Sequence, residues 1–252
     1  MAILKRYRFP FKPAYWDILA LSAWGILFIY YRVTNQLRLL IHPRYYWAVV
    51  LAGVVLLGLA IAKTFVTVTN TTPPSRGQHF KTLPGNLSSM LLLGIAMLGL
   101  VAQIQPLGSQ AALQEGYTVV GLPTRPQVQR FTSGARPEDR TLSDWARTLA
   151  VYPEPDSYAG KTVNVSGFVV HPPELPDNIF MITRFVIRHC ALDATPVGLP
   201  VILEQRRSEY PQDSWLAIQG QMETLEVDGA RRVAIAPTAL TSIPEPEDPY
   251  EY

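Results

Sequence analysis

Three long apolar runs precede a tract in which short β-rich stretches alternate with turn residues, and that change of period divides the chain. Residues 45–62, YYWAVVLAGVVLLGLAIA, pass eighteen positions without a charge. As a helix rising about 1.5 Å per residue they reach roughly 27 Å, nearly the thickness of a bilayer's hydrocarbon. Residues 87–104, LSSMLLLGIAMLGLVAQI, have the same length, and no charged side chain occurs from Thr82 to Gln114. Residues 14–31 form the third run, with Tyr15, Trp16, Tyr30 and Tyr31 at its ends like an aromatic belt. Only Asp17 stands against that run, within one turn of its edge, where it can reach headgroup water. Helices apolar on every side, if buried in a globular core, need a thick protein shell, and the rest of the chain is too short to supply one. A cleaved signal peptide is the other reading of the first run, but no small-x-small site follows it before Arg32. Three membrane helices are therefore expected. Ala48, Ala52, Gly58 and Ala62 offer small-xxx-small spacing on the second.

After the third run, residues 106–137 are rich in Pro, Gly, Gln and Ser without sustained period and read as a connector. Thr141 and Asp144 have the spacing of a capping box, and Leu142, Trp145 and Leu149 lie at helical intervals before Pro153 and Pro155. A short helix is expected there. Strands follow at Thr162 to Phe168, Ile179 to Arg188, Leu199 to Glu204, Trp215 to Leu225 and Arg231 to Ile235, and Asp228-Gly229 marks a tight hairpin between the last two. Five such strands within residues 138–243 predict a small OB-like Greek-key β-barrel, with another small β-sandwich as the alternative. The fold class is thus membrane α plus all-β. Residues 244–252, PEPEDPYEY, concentrate Glu245, Glu247, Asp248 and Glu251 and read as an acidic disordered tail.

Charge sharpens the division. Residues 1–105 hold ten Lys or Arg against the single acid Asp17, whereas residues 106–252 hold twelve basic and nineteen acidic groups, so the overall +2 is a near-cancellation of two opposite blocks. With the N-terminus in the cytoplasm, the inner segments carry Lys5, Arg6, Arg8, Lys12, Lys63, Arg76 and Lys81, against Arg32, Arg38 and Arg44 outside. That bias places the β domain outside the cell if the spans number three. The acidic balance of that half argues against nucleic acid, because single-strand binding by such barrels needs a positive groove.

One constellation holds chemistry. His189, the lone cysteine Cys190, and Asp193 fall within five residues at the end of an apolar strand. Imidazole, thiolate and carboxylate are ligand types for zinc, and the first two also suit copper. Sharing an ion requires the strand to break before residue 190, since neighbours on a continuous strand point to opposite faces. The bland alternative makes Cys190 a small buried hydrophobe, His189 a rim residue and Asp193 a turn former. One cysteine excludes both an intramolecular disulfide and four-cysteine zinc folds. An enzyme with Cys190 as nucleophile and His189 as base is disfavoured, because sequence neighbours seldom reach the geometry of a dyad and nothing identifies an oxyanion site. No phosphate loop or GxSxG occurs either.

The three amino-proximal spans, the GKTVNVSGFV strand, and RFVIRHCALDATPVGLPV followed by SWLAIQGQM resemble the YcgQ-like bacterial membrane proteins of unknown function, over most of the chain. Members usually accompany a YcgR-like multi-span permease, so the resemblance implies a non-enzymatic accessory role in transport at the plasma membrane. The family pattern tends to have two adjacent cysteines where this chain has His189 and Cys190; Cys190 and Asp193 match it. Many relatives carry a His-rich loop between the second and third spans, and here residues 63–86 contain only His79.

Overall fold

The computed structural model describes residues 13–69, 87–115, 136–227 and 229–252. The basic residues at 5, 6, 8, 12, 76 and 81, together with His79 and most of the connector, lie outside them. The chain divides into two compact units, Met1–Ile104 and Gln105–Tyr252.

The first unit is built on α1 (Pro13–Val33), which packs against both α2 (Tyr46–Thr69) and α3 (Leu87–Val101). At about 1.5 Å per residue, the 21 residues of α1 and 24 of α2 are long enough to cross hydrocarbon, and both are candidate spans. The fifteen described residues of α3 rise only about 22 Å, so its crossing is not established by length. Close packing comes from glycine. A Cβ on Gly25 would lie 2.7 Å from Leu57 Cγ and 3.0 Å from the Gly53 carbonyl, so the two helices meet backbone to backbone. The small residues that make this contact on α2 are Gly53 and Ala60; Gly58 and Ala62, expected from spacing, are exposed. The reason is that the 3.6-residue period puts them on a different face.

Asp17 also behaves differently from a carboxylate snorkelling to water. It accepts hydrogen bonds from the Lys63 ammonium of α2 and the Ser89 hydroxyl of α3, and so ties all three helices at one level. Trp24 Nε1 donates to the Leu92 carbonyl at 3.0 Å and the Tyr31 hydroxyl donates to the Gly99 carbonyl at 2.7 Å. Partners that rise together, 17 with 89, 24 with 92, and 31 with 99, make α1 and α3 parallel.

The second unit is a closed five-stranded barrel of β1 (Thr162–Val170), β2 (Ile179–Val186), β3 (Thr195–Ile202), β4 (Trp215–Val227) and β5 (Ala230–Ile243). Each strand is hydrogen-bonded to the next in the circuit β1-β2-β3-β5-β4 and back to β1, with β3 and β5 parallel, which is the Greek-key closure expected from the strand pattern. Strand β5 runs eight residues beyond Ile235, paired with β4 at every position but Thr238. Gly229, at φ 73°, occupies the tight turn that pairs Val227 with Ala230. Closure needs a sharp bend, and the β4–β5 register shifts between Gln219 and Gly220, where Gly220 faces Pro237. A Cβ on Gly220 would lie 2.3 Å from the Ala236 carbonyl oxygen.

Helix α5 (Leu142–Val151) starts at the expected capping box of Thr141 and Asp144 and contributes Leu142, Trp145 and Leu149 to the barrel core beside Val163, Ile182, Val201, Ile218 and Ile235. The tail is not disordered. Tyr250 and Glu251 form β6, parallel to β2; Tyr250 is buried, and Glu251 Oε2 accepts the Ser143 amide at 2.8 Å at the start of α5. Its acids mislead because the ordering is done by aromatic burial and by a helix terminus that favours a carboxylate. Within the expected connector, α4 (Ser109–Glu115) is ordered and packs on β1 and β3.

Substituting Gly220→Ala should cost about 1–3 kcal/mol by forcing β4 from β5, whereas Gly58→Ala, with open space around it, should be neutral. Chemical denaturation monitored by tryptophan fluorescence for the first, and thermal unfolding in detergent for the second, check the contrast.

Candidate functional site

Strand β2 ends at Val186, so the break required before Cys190 exists. A turn follows, and its organiser is Asp193. Its Oδ1 accepts the backbone amides of Arg188 at 3.3 Å, His189 at 3.2 Å and Cys190 at 3.2 Å, while Oδ2 lies 2.7 Å from His189 Nδ1. The Cys190 side chain in turn accepts the Asp193 amide, completing a reciprocal cap around the short 3-10 turn Ala191–Asp193.

The three expected ligands are therefore neighbours, but in this arrangement their donor atoms do not converge on one point. Three amides share Oδ1 of the Asp193 carboxylate and the His189 ring meets Oδ2, and the Cys190 sulfur is turned to its own backbone. Among the described residues no group of three or more His, Cys, Asp or Glu side chains converges to hold a metal ion. Spacing placed the right residue types together; the backbone donors of the turn then claimed the carboxylate, which is the turn-former role weighed as the alternative. Burial pushes the Asp193 carboxyl up, but the hydrogen bonds from His189, Cys190 and Arg188 outweigh it and hold the group below the ordinary carboxylate range. What the turn displays is Leu192, 98% exposed, following an exposed His189 and a partly exposed Cys190.

Residues that pattern reading missed lie around this strand. Arg184 donates from Nε to the Ser166 carbonyl at 3.0 Å and from Nη2 to the Ser166 hydroxyl at 3.1 Å, with its guanidinium 5.1 Å from the Trp215 ring centre. Burial lowers its pKa, and Glu251 and Asp248 pull it back. Phe168 stacks on Phe185 and meets Trp215 edge-on. The signal for the tail was present in its tyrosines, since solvated acidic tails rarely carry aromatics. Asp213 has no comparable signal: it sits at φ 64° and receives the Ser109 amide at 2.5 Å and the Ser109 hydroxyl at 2.8 Å.

With this geometry in place, comparison with a family model bears on the same half of the chain. Residues 139–252 match the family model described as the DUF1980 C-terminal domain. Over 104 residues the chain is 26% identical to UPF0703 protein YcgQ of Bacillus subtilis (strain 168), a stretch amounting to 40% of this chain and 36% of that relative. The match thus spans about a third of the relative's length. No solved structure matches the chain.

Replacing Asp193 with Ala should destabilise the barrel by about 1–2 kcal/mol at neutral pH, the cost of losing a cap. Because the folded carboxyl titrates below its unfolded value, this contribution is complete above about pH 4 and fades as pH falls through the folded pKa. Urea unfolding of both proteins across that range should show the two curves converging in acid.

Proposed function

We propose, for a chain that carries a DUF1980 C-terminal domain and resembles YcgQ, that it is a plasma-membrane protein without catalytic activity of its own that serves as an accessory subunit of a multi-span permease of the YcgR-like kind. The β-barrel is its working surface, outside the cell. Support for the sidedness comes chiefly from one observation. Helices α1 and α3 run parallel and are joined at three successive levels by Asp17–Ser89, Trp24–Leu92 and Tyr31–Gly99. A helix held alongside a membrane-crossing neighbour through that length crosses the same layer in the same direction. The chain then leaves α3 on the side opposite its amino terminus. The basic residues of the amino-terminal half favour that terminus in the cytoplasm.

A non-enzymatic role is supported by the chemistry of the turn at residues 188–193, where carboxylate and thiol serve the backbone. The permease is supported only by family resemblance, and it is the part of the reading that a partner experiment decides.

Two measurements test it. An impermeant maleimide should label Cys190 in spheroplasts without lysis; labelling only after lysis puts the barrel in the cytoplasm and removes the third span. Affinity purification at native expression in mild detergent should recover a polytopic membrane protein in a fixed ratio, and recovery of the chain alone ends the accessory-subunit reading.

A further inference from the structure

Strands β1 and β2 part before either ends. Their ladder runs from Val170–Met181 to Phe168–Thr183 and stops there. Two steps further, where Phe185 would face Ser166, the Arg184 side chain takes the place of backbone pairing by donating to the Ser166 carbonyl and hydroxyl. Strand β3 holds the other edge of β2 as far as Val186. The edge turned toward β1 is thus left unclaimed by β1 at residues 185–187, a row of backbone groups that needs another strand.

Residues 250–252 supply one. Tyr250 lies beside Phe185 and Glu251 beside Val186, parallel to β2, and the Ile187 amide donates to the Glu251 carbonyl at 2.9 Å. Side chains add selectivity, because successive positions of an added strand enter different surroundings. The Tyr250 ring is buried and its hydroxyl accepts the Leu107 amide. The Glu251 carboxylate accepts the Ser143 amide in the first turn of α5, where the helix dipole favours negative charge. Arg147 Nη2 donates to the Tyr252 carbonyl at 3.3 Å, and Asp248 and Glu251 both attract the Arg184 guanidinium. A half of the chain with nineteen acids against twelve bases therefore presents arginines here, to an acidic segment.

The hold on that segment is short. Only the two residues of β6 pair with β2, and residues 244–249, which lead to them, have no regular structure and include Pro244, Pro246 and Pro249, which favour an extended course. A contact of this size opens locally at lower cost than the barrel unfolds.

We propose that the fork between β1 and β2 is a strand-addition site for an extended acidic segment of a partner protein, one with an aromatic residue followed directly by a carboxylate, and that Tyr250 and Glu251 are its competitor in cis. The chemistry of the occupant follows from what fills the fork: a ring for the buried position, a carboxylate for the α5 amide, and negative charge for Arg147 and Arg184. Because the tail must leave first, the affinity seen in trans is the intrinsic one reduced by the open fraction.

Fluorescence anisotropy of a labelled peptide with the sequence of residues 247–252, titrated with the full-length protein in detergent, tests this. The chain shortened after Pro249 should bind the peptide saturably, and the unaltered chain at least about tenfold more weakly through competition. Placing Ala in the peptide at the position of Tyr250, or Gln at that of Glu251, should weaken binding by about tenfold or more. Should the shortened chain fail to fold, Glu251→Gln in the full-length protein takes its place, with a loosened tail and the fork intact, and should bind the peptide more tightly than the unaltered chain. Absence of saturable binding by the altered chain, equal affinity of altered and unaltered chains, or equal binding of a scrambled peptide overturns the site. Light scattering decides the occupant: a mass unaffected by either alteration is expected, whereas a dimer of the unaltered chain that disappears with it gives the fork to a second copy and overturns a separate partner.

Discussion

The barrel depends on strands being allowed to touch. Sheet closure demands that backbones approach where a side chain would normally intervene, and the positions where they do so are Gly167, Gly198 and Gly220, each with a carbonyl oxygen less than 3 Å from where a Cβ would be. At Gly220 the partner strand adds its own device. Thr238 is looped out of the ladder opposite, and its hydroxyl returns to the Gln219 carbonyl at 3.1 Å, so the bend leaves few polar groups unpaired. Once β4 and β5 are bent, β3 can reach β5, edges vanish, and the core that α5 completes is sealed.

The helical unit meets the same requirement differently. Each helix satisfies its backbone groups internally, and association falls to small residues and a few polar side chains. Asp17 is the one acid among the first 105 residues, and it faces Lys63 and Ser89. Removing either member of a half-shielded ion pair leaves the other uncompensated, so these helices have a preferred register as well as a preferred face.

How much of this the chain discloses varies with range. Most strand positions, the Thr141–Asp144 cap and the turn at Gly229 were readable because period and turn chemistry are local; β3 begins at Thr195, ahead of the expected Leu199, because Pro196 and Gly198 resemble a turn until β2 lies beside them. The barrel was readable as one of two small β architectures, and the pairings of β3 with β5 and of β1 with β2 decide for closure over a sandwich. The full length of β5 was not, because Pro237 and the small residues after it resemble a loop until β4 lies beside them. The destination of Asp193 was hidden for another reason: a carboxylate near a histidine and a thiol suits a metal or a turn equally well, and only the direction of three backbone amides decides. Tyr250 and Glu251 find their places through residues 65 or more positions away, at Phe185 and Ser143, a separation that no window of sequence spans.

The Tyr250 hydroxyl receives the Leu107 amide at 2.9 Å, so the strand that closes the chain also anchors the stretch that opens the domain. Pulling on the incoming chain would load the Tyr250 anchor beside β2 and the Asp213 grip in the β3–β4 connection together. Two segments far apart in sequence thus share any load that arrives at residues 107–109.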